Sequence, residues 1–166
     1  SGERLPERSL NFVYSIDPYD VTTVVSGTGS QTQTSSMAKL STGASASSSS
    51  TLISKGYLLY HSGYQAEAGM TAIFPAACIA GRIALAGIGD SEGAVQIGCV
   101  DDEFVIRHVD GHGATTDVEQ SLWNRDRAID GDNENNFALD QSKLNIYRIS
   151  YAWFGTGPIV VSVFMG

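Results

Sequence analysis

His108, Asp110 and His112 fall at intervals of two in the run HVDGH. On a regular β-strand that spacing puts two imidazoles and a carboxylate on one face, and imidazole with carboxylate is a common donor set for zinc and its neighbours. The same residues also read as a turn. Asp110-Gly111 is a strong two-residue hairpin signal, and a hairpin there parts the two histidines. The solvated turn is the reading carried forward. A second cluster, DRAIDGDNENN, gathers Asp126, Asp130 and Asp132 with Glu134 and several asparagines, which suits a hard cation such as calcium. It departs from the EF-hand loop: the sixth position from Asp130 is Asn135 instead of glycine, and the twelfth is Gln141 instead of glutamate. An exposed acidic loop is the simpler expectation. Asp126, Asp130 and Asp132 remain the calcium candidates, and no cofactor is expected.

Sugar recognition asks for flat aromatic surfaces with a polar tip. Tyr57, Tyr60, His61 and Tyr64, in GYLLYHSGY, and Trp123 are the residues that could stack on a glycan, although such side chains more often fill cores and turns. Nucleophilic catalysis has no comparable set. There is no G-x-S-x-G elbow, and SGTGS lacks the strand-to-helix setting that exposes a strained serine. GIGDSEG misses the dinucleotide spacing, and no helix follows it. Asp101, Asp102 and Glu103 are adjacent on a turn and so do not flank a glycosidic bond. No catalytic residue is named, and the chain is read as a non-enzyme.

The elements that must position these residues are strands. LNFVY, VTTVVS, TLISKGYLLY, MTAIF, RIALAGI, AVQIGCV and EFVIRHV are short, rich in β-branched and aromatic residues, and separated by turn-formers. GDSEG (89–93), VDD (100–102) and DGHG (110–113) read as tight antiparallel connections. Near the end, NIYRISYAWFGTGPIVVSVF sets Tyr147, Ile149, Tyr151 and Trp153 in phase on one strand face. Gly155 to Pro158 then break the run before Val161 and Val163 resume it, which makes a hairpin. Only DVEQSLWNRD has room for a helical turn. The fold expected is all-β, an antiparallel sandwich of jelly-roll type. GTGSQTQTSS (27–36) and STGASASSSST (41–51) carry almost no large side chain and read as mobile loops; for the second, extended small-residue strands at a subunit contact compete closely. Residues 1–50 are thus an arm with Ser/Thr/Gly-rich segments, and 51–166 the sandwich core of one domain.

The chain has 166 residues, 42% hydrophobic and 17% charged, with 18 glycines and a formal net charge of −8. It is long enough to bury a core without staples. The acidic balance argues against a nucleic-acid partner, since phosphate binding needs clustered Lys and Arg. No apolar run is long enough to cross a bilayer as a helix, so no membrane insertion is expected. Cys78 and Cys99 imply no disulfide framework, and Cys99 reads as a buried free thiol. Ser1-Gly2 reads as a vector-derived start.

Several segments recur together in a known order. GIGD (87–90) and GAVQIGCVDDEFVIRH are followed by Trp123-Asn124-Arg125-Asp126 and by Leu139-Asp140-Gln141-Ser142-Lys143. The strand Asn145 to Ile149 and the hairpin Trp153-Phe154-Gly155-Thr156-Gly157-Pro158-Ile159 come next. With STLISKGYLLYHSGYQAEAGMTAIF upstream, the stretch from Thr51 to Val163 resembles a recurrent structural domain of virus particles, encoded by tailed bacteriophages and large DNA viruses. The departure is VDDEFVIRH, where those proteins more often carry a glycine- and aromatic-rich hairpin. The resemblance implies a virion component at the particle surface, in a capsid decoration, head fibre or tail fibre. It implies contact with other virion proteins and, through symmetric repetition, with copies of itself, most simply as a homotrimer. It transfers no catalytic residues. Such chains often continue past this hairpin, so Gly166 is expected to be the edge of a domain cut from a longer protein. The alternative is a carbohydrate-binding module that attaches the particle to a host-surface glycan.

Overall fold

The computed structural model describes residues 8–57, 65–129, 138–152 and 158–165. Every strand pairing among them is antiparallel, and the one helical element is a 3-10 turn at Gln120–Leu122. The all-β expectation therefore holds. The chain divides into two compact units, Ser1–Tyr60 and His61–Gly166.

The first unit holds β1 (Val21–Ser26), β2 (Ser30–Thr34), β3 (Met37–Ser41) and β4 (Ser49–Ser54). β1 pairs with β4 from Val21 opposite Ser54 to Ser26 opposite Ser49. β2 pairs with β3 around a tight turn in which Ser35 and Ser36 both take positive φ, the twist-matched geometry of a two-residue hairpin. Of the low-complexity segments expected to be mobile loops, 27–36 contributes β2, while 41–51 keeps non-strand chain at 42–48 between the end of β3 and the start of β4. Their hydroxyls explain the order, because they bond backbone across the unit: Thr28 Oγ1 donates to the Thr42 carbonyl (2.9 Å) and Ser50 Oγ to the Ser30 carbonyl (2.9 Å). Gln31 Nε2 adds a bond to the Thr51 carbonyl (2.6 Å). Chains also approach closely at Gly29, where a Cβ would collide with the Ser49 carbonyl.

The second unit holds β5 (Gln65–Ala72), β6 (Ile83–Gly89), β7 (Ala94–Val100), β8 (Glu103–Val109), β9 (Thr115–Glu119), β10 (Asn145–Ala152) and β11 (Val160–Met165). Two sheets form, ordered β11-β10-β5 and β6-β7-β8-β9. Their facing side chains share one core: Tyr147 from the first sheet meets Ile97, Cys99 and Phe104 from the second, with Met70, Ala84, Ile106, Val161 and Val163 around them. Phe74, just after β5, packs edge-on to both Phe104 and Tyr147, with ring centres 5.5 Å apart in each case. This is a sandwich. A jelly roll is built from two Greek keys, whereas β6 to β9 are a meander of consecutive neighbours. Gly89 to Gly93, Asp101-Asp102 and Asp110 to Gly113 make its three turns, as their sequences require.

On β10, Tyr147 and Ile149 are wholly buried and Tyr151 partly so, which confirms the phase read from the sequence. Trp153 lies outside the described residues. The other face is less polar than expected, for Ser150 is also buried and Ile146 is half exposed. β11 returns beside β10, with Val160 opposite Ser150.

The cysteines require a correction. Cys78 and Cys99 form a disulfide, with Cα atoms 5.2 Å apart, and neither is a free thiol. The connection from β5 to β6 folds back over β7 and brings two distant positions within bridging range. Nothing in a spacing of 21 residues announces that approach.

Candidate functional site

Asp110 sits at the head of the β8–β9 turn, and its carboxylate is committed there. Oδ1 accepts the backbone N–H groups of His112 (2.8 Å) and Ala114 (2.9 Å), and these bonds hold the carboxyl below its ordinary range. His108 is exposed on β8 opposite Thr116, and His112 is exposed within the turn. The residues that might have formed a metal face instead close a hairpin. Asp126 does similar work, accepting the Ala128 N–H (2.8 Å) where Ala128 takes a positive φ. Asp130 and Asp132 lie outside the described residues. Among the described residues, no three His, Cys, Asp or Glu side chains converge on a common point. Asp101, the first carboxylate of VDDE, accepts the Gly81 N–H (2.8 Å) and so fastens a loop.

Of the sugar-stacking candidates, Tyr57 is 89% exposed, while Tyr60, His61 and Tyr64 lie outside the described residues. Trp123 is not an open platform. Its ring leans on Phe104 at 6.3 Å and its indole N–H donates to the Val118 carbonyl (3.2 Å), so it walls the core.

The segment LDQSK is a clasp. Leu139 packs on the core, and its N–H bonds the Ala128 carbonyl (2.8 Å). Asp140 accepts the Ser142 N–H and hydroxyl, which lowers its carboxyl pKa. Gln141 reaches furthest: its carbonyl accepts the Phe74 N–H (2.9 Å), and its amide N–H donates to the Pro75 carbonyl (3.0 Å) and faces the disulfide sulfurs at 3.5 and 3.7 Å. Buried Asn145 then donates to the carbonyls of Asp140 (2.8 Å) and Lys143 (3.2 Å), closing the approach to β10. Beside the disulfide lies a cavity of about 40 Å³ lined by Pro75, Cys78, Ile79, Arg82 and Ala84, far below the several hundred Å³ usual for a small-molecule site. The motif residues hold the sandwich together.

The first unit, expected from the sequence to be a partly extended arm, presents a largely exposed apolar surface. Among its described residues Val21 alone is a buried hydrophobic, at 2% exposure. Tyr14 and Tyr19 are 91% and 86% exposed, Val24 and Ile53 are 49% each, and Val25 is 53%. A density of apolar residues without a core is the signal that could have flagged it. Comparison of the chain with protein-family models, curated proteins and solved structures finds no match.

Proposed function

We propose that this chain is a non-enzymatic structural component of a phage or virus particle, a capsid-decoration, head-fibre or tail-fibre domain that works by assembling with copies of itself, most simply as a homotrimer at the virion surface. One observation carries the reading: the first unit orders four strands around a single buried hydrophobic side chain among its described residues. Fixing one residue's backbone costs about 1–2 kcal/mol, comparable with the whole gain from burying Val21. Half-buried Phe12, Ile16 and Leu52 and exposed hydroxyl bonds add modestly to that. Strands so weakly supported from within their own chain gain their support from other chains. The second unit, with its aromatic core and disulfide, supplies a rigid body to be carried or displayed. The segment order that resembles virion proteins supports the same reading.

Electron microscopy of the intact particle is the test. Repeated copies in mutual contact at the particle surface are expected, and a lone copy touching none of its own kind would refute the proposal. The runner-up, a glycan-binding module on an adsorption protein, is favoured by the exposure of Tyr57. Glycan-array binding that is lost in Tyr57→Ala would favour it.

A further inference from the structure

The pairing of β1 with β4 fixes which side chains share a face. Val21 with Ser54, Thr23 with Leu52 and Val25 with Ser50 point one way. Thr22 with Ile53, Val24 with Thr51 and Ser26 with Ser49 point the other. The first face holds Val21 and half-buried Leu52 and Ser50, whereas all six residues of the second are exposed. That second face bears β-branched side chains and hydroxyls and no ionisable group, in a chain whose net charge is −8.

We infer that the face formed by Thr22, Val24, Ser26, Ser49, Thr51 and Ile53 is where further copies of this chain meet. The inference rests on the self-assembly proposed above and names its surface. Three features select a second copy as the occupant. Like-charged chains repel least where neither presents a charge. A basic partner would find no carboxylate on this face to pair with. Each copy carries the same shortage of burial, so gathering this face of several copies about one symmetry axis relieves it in every chain at once.

The size of the face bears on the symmetry. Two strands of six residues cover about 20 Å by 10 Å, on the order of a quarter of the ~800 Å² that each partner gives to a standard interface. A two-fold pair joined by this face alone is too small to persist. Cyclic assembly of three copies sets each against two neighbours and draws in the flanking exposed side chains.

The test uses the full chain. Val24→Glu places a carboxylate on the proposed contact, and Val25→Glu places the same charge one residue along on the opposite face. Sedimentation mass is read together with hydrogen exchange of residues 21–54. Expected are a trimer mass for the wild type and for Val25→Glu, and a monomer mass for Val24→Glu. Exchange in 21–54 should be at least tenfold faster in the Val24→Glu monomer, with the protection of β7 and β10 retained. If the wild type is oligomeric and Val24→Glu leaves its mass unchanged, the face is wrong although self-assembly stands. If the wild type is a monomer with 21–54 already protected, both the face and the self-assembly reading fall.

Discussion

Reduction of the Cys78–Cys99 disulfide should destabilise the second unit without moving its loop. The bridge closes a loop with a sequence separation of 21. Loop-closure entropy for about that length is worth about 3 kcal/mol at 25 °C, through restriction of the unfolded chain. The native geometry has other supports, because Asp101 accepts the Gly81 N–H and its own N–H bonds the Arg82 carbonyl (2.9 Å). Gln141 still holds Phe74 and Pro75. The loss therefore falls mainly on the unfolded ensemble. For a domain of this size, that translates to a fall in melting temperature of roughly 10–20 °C. Scanning calorimetry with and without a dithiol reductant measures it, with intact mass after alkylation reporting the thiol state. Cys78→Ser, which leaves buried Cys99 in its place, should match the reduced protein. Two alkylatable thiols in air-purified protein, or a melting shift under about 2 °C with the bridge broken, would refute the reasoning.

The remaining expectations concern the core, the surface ion pair and the acidic loop. Tyr147→Ala removes a wholly buried ring in contact with Phe74 and should cost about 3–5 kcal/mol in chemical denaturation. Trp123→Ala should also lower stability, by about 3 kcal/mol, and leave any glycan binding unchanged; the opposite pattern would restore Trp123 as a ligand platform. Arg107 holds Asp117 in a bidentate pair at 2.7 and 2.8 Å, which depresses the Asp117 carboxyl pKa and raises that of Arg107. Because the folded Asp117 pKa lies below its unfolded value, this contribution is complete above about pH 4 and is lost as pH falls through the folded pKa. It is worth about 1 kcal/mol for a pair at the surface, and Asp117→Asn should abolish that part of the acid dependence. Chelator should leave the melting temperature unchanged, and a fall would revive the calcium reading of Asp126, Asp130 and Asp132.

Where the sequence was legible, a period or a turn rule had only one physical solution. Alternation fixed the face of Tyr147 and Ile149, and the turn sequences GDSEG, Asp101-Asp102 and Asp110-Gly111 with bounded spacing fixed the β6–β9 meander. The disulfide was illegible because it depends on how the β5–β6 connection folds back over β7, which no local pattern encodes. Gln141 was read as a failed calcium ligand because it was counted along a loop; its bonds go to Phe74 and Pro75, distant in sequence. Hydropathy misjudged the serine-rich segments in the opposite way. It treats Ser and Thr as solvent-facing, yet Thr28 and Ser50 spend their hydroxyls on backbone carbonyls and thereby order chain that buries almost nothing.

That contrast separates the two units physically. The second is ordered by burial, with Tyr147, Ile97 and Ile149 wholly enclosed, and burial is insensitive to what surrounds the chain. The first is ordered largely by hydrogen bonds between groups that water also reaches. Each such bond nets only about 1 kcal/mol, because water offers the same groups equivalent partners. Covering those bonds with another chain removes the competitor without changing a single bond inside the unit. A contact made through Val24 and Ile53 would therefore strengthen the ladder beneath it while burying apolar surface, which would couple assembly to the stability of the first unit. On the proposed reading, such a unit gains stability where copies are concentrated, as they would be on a repeating particle surface.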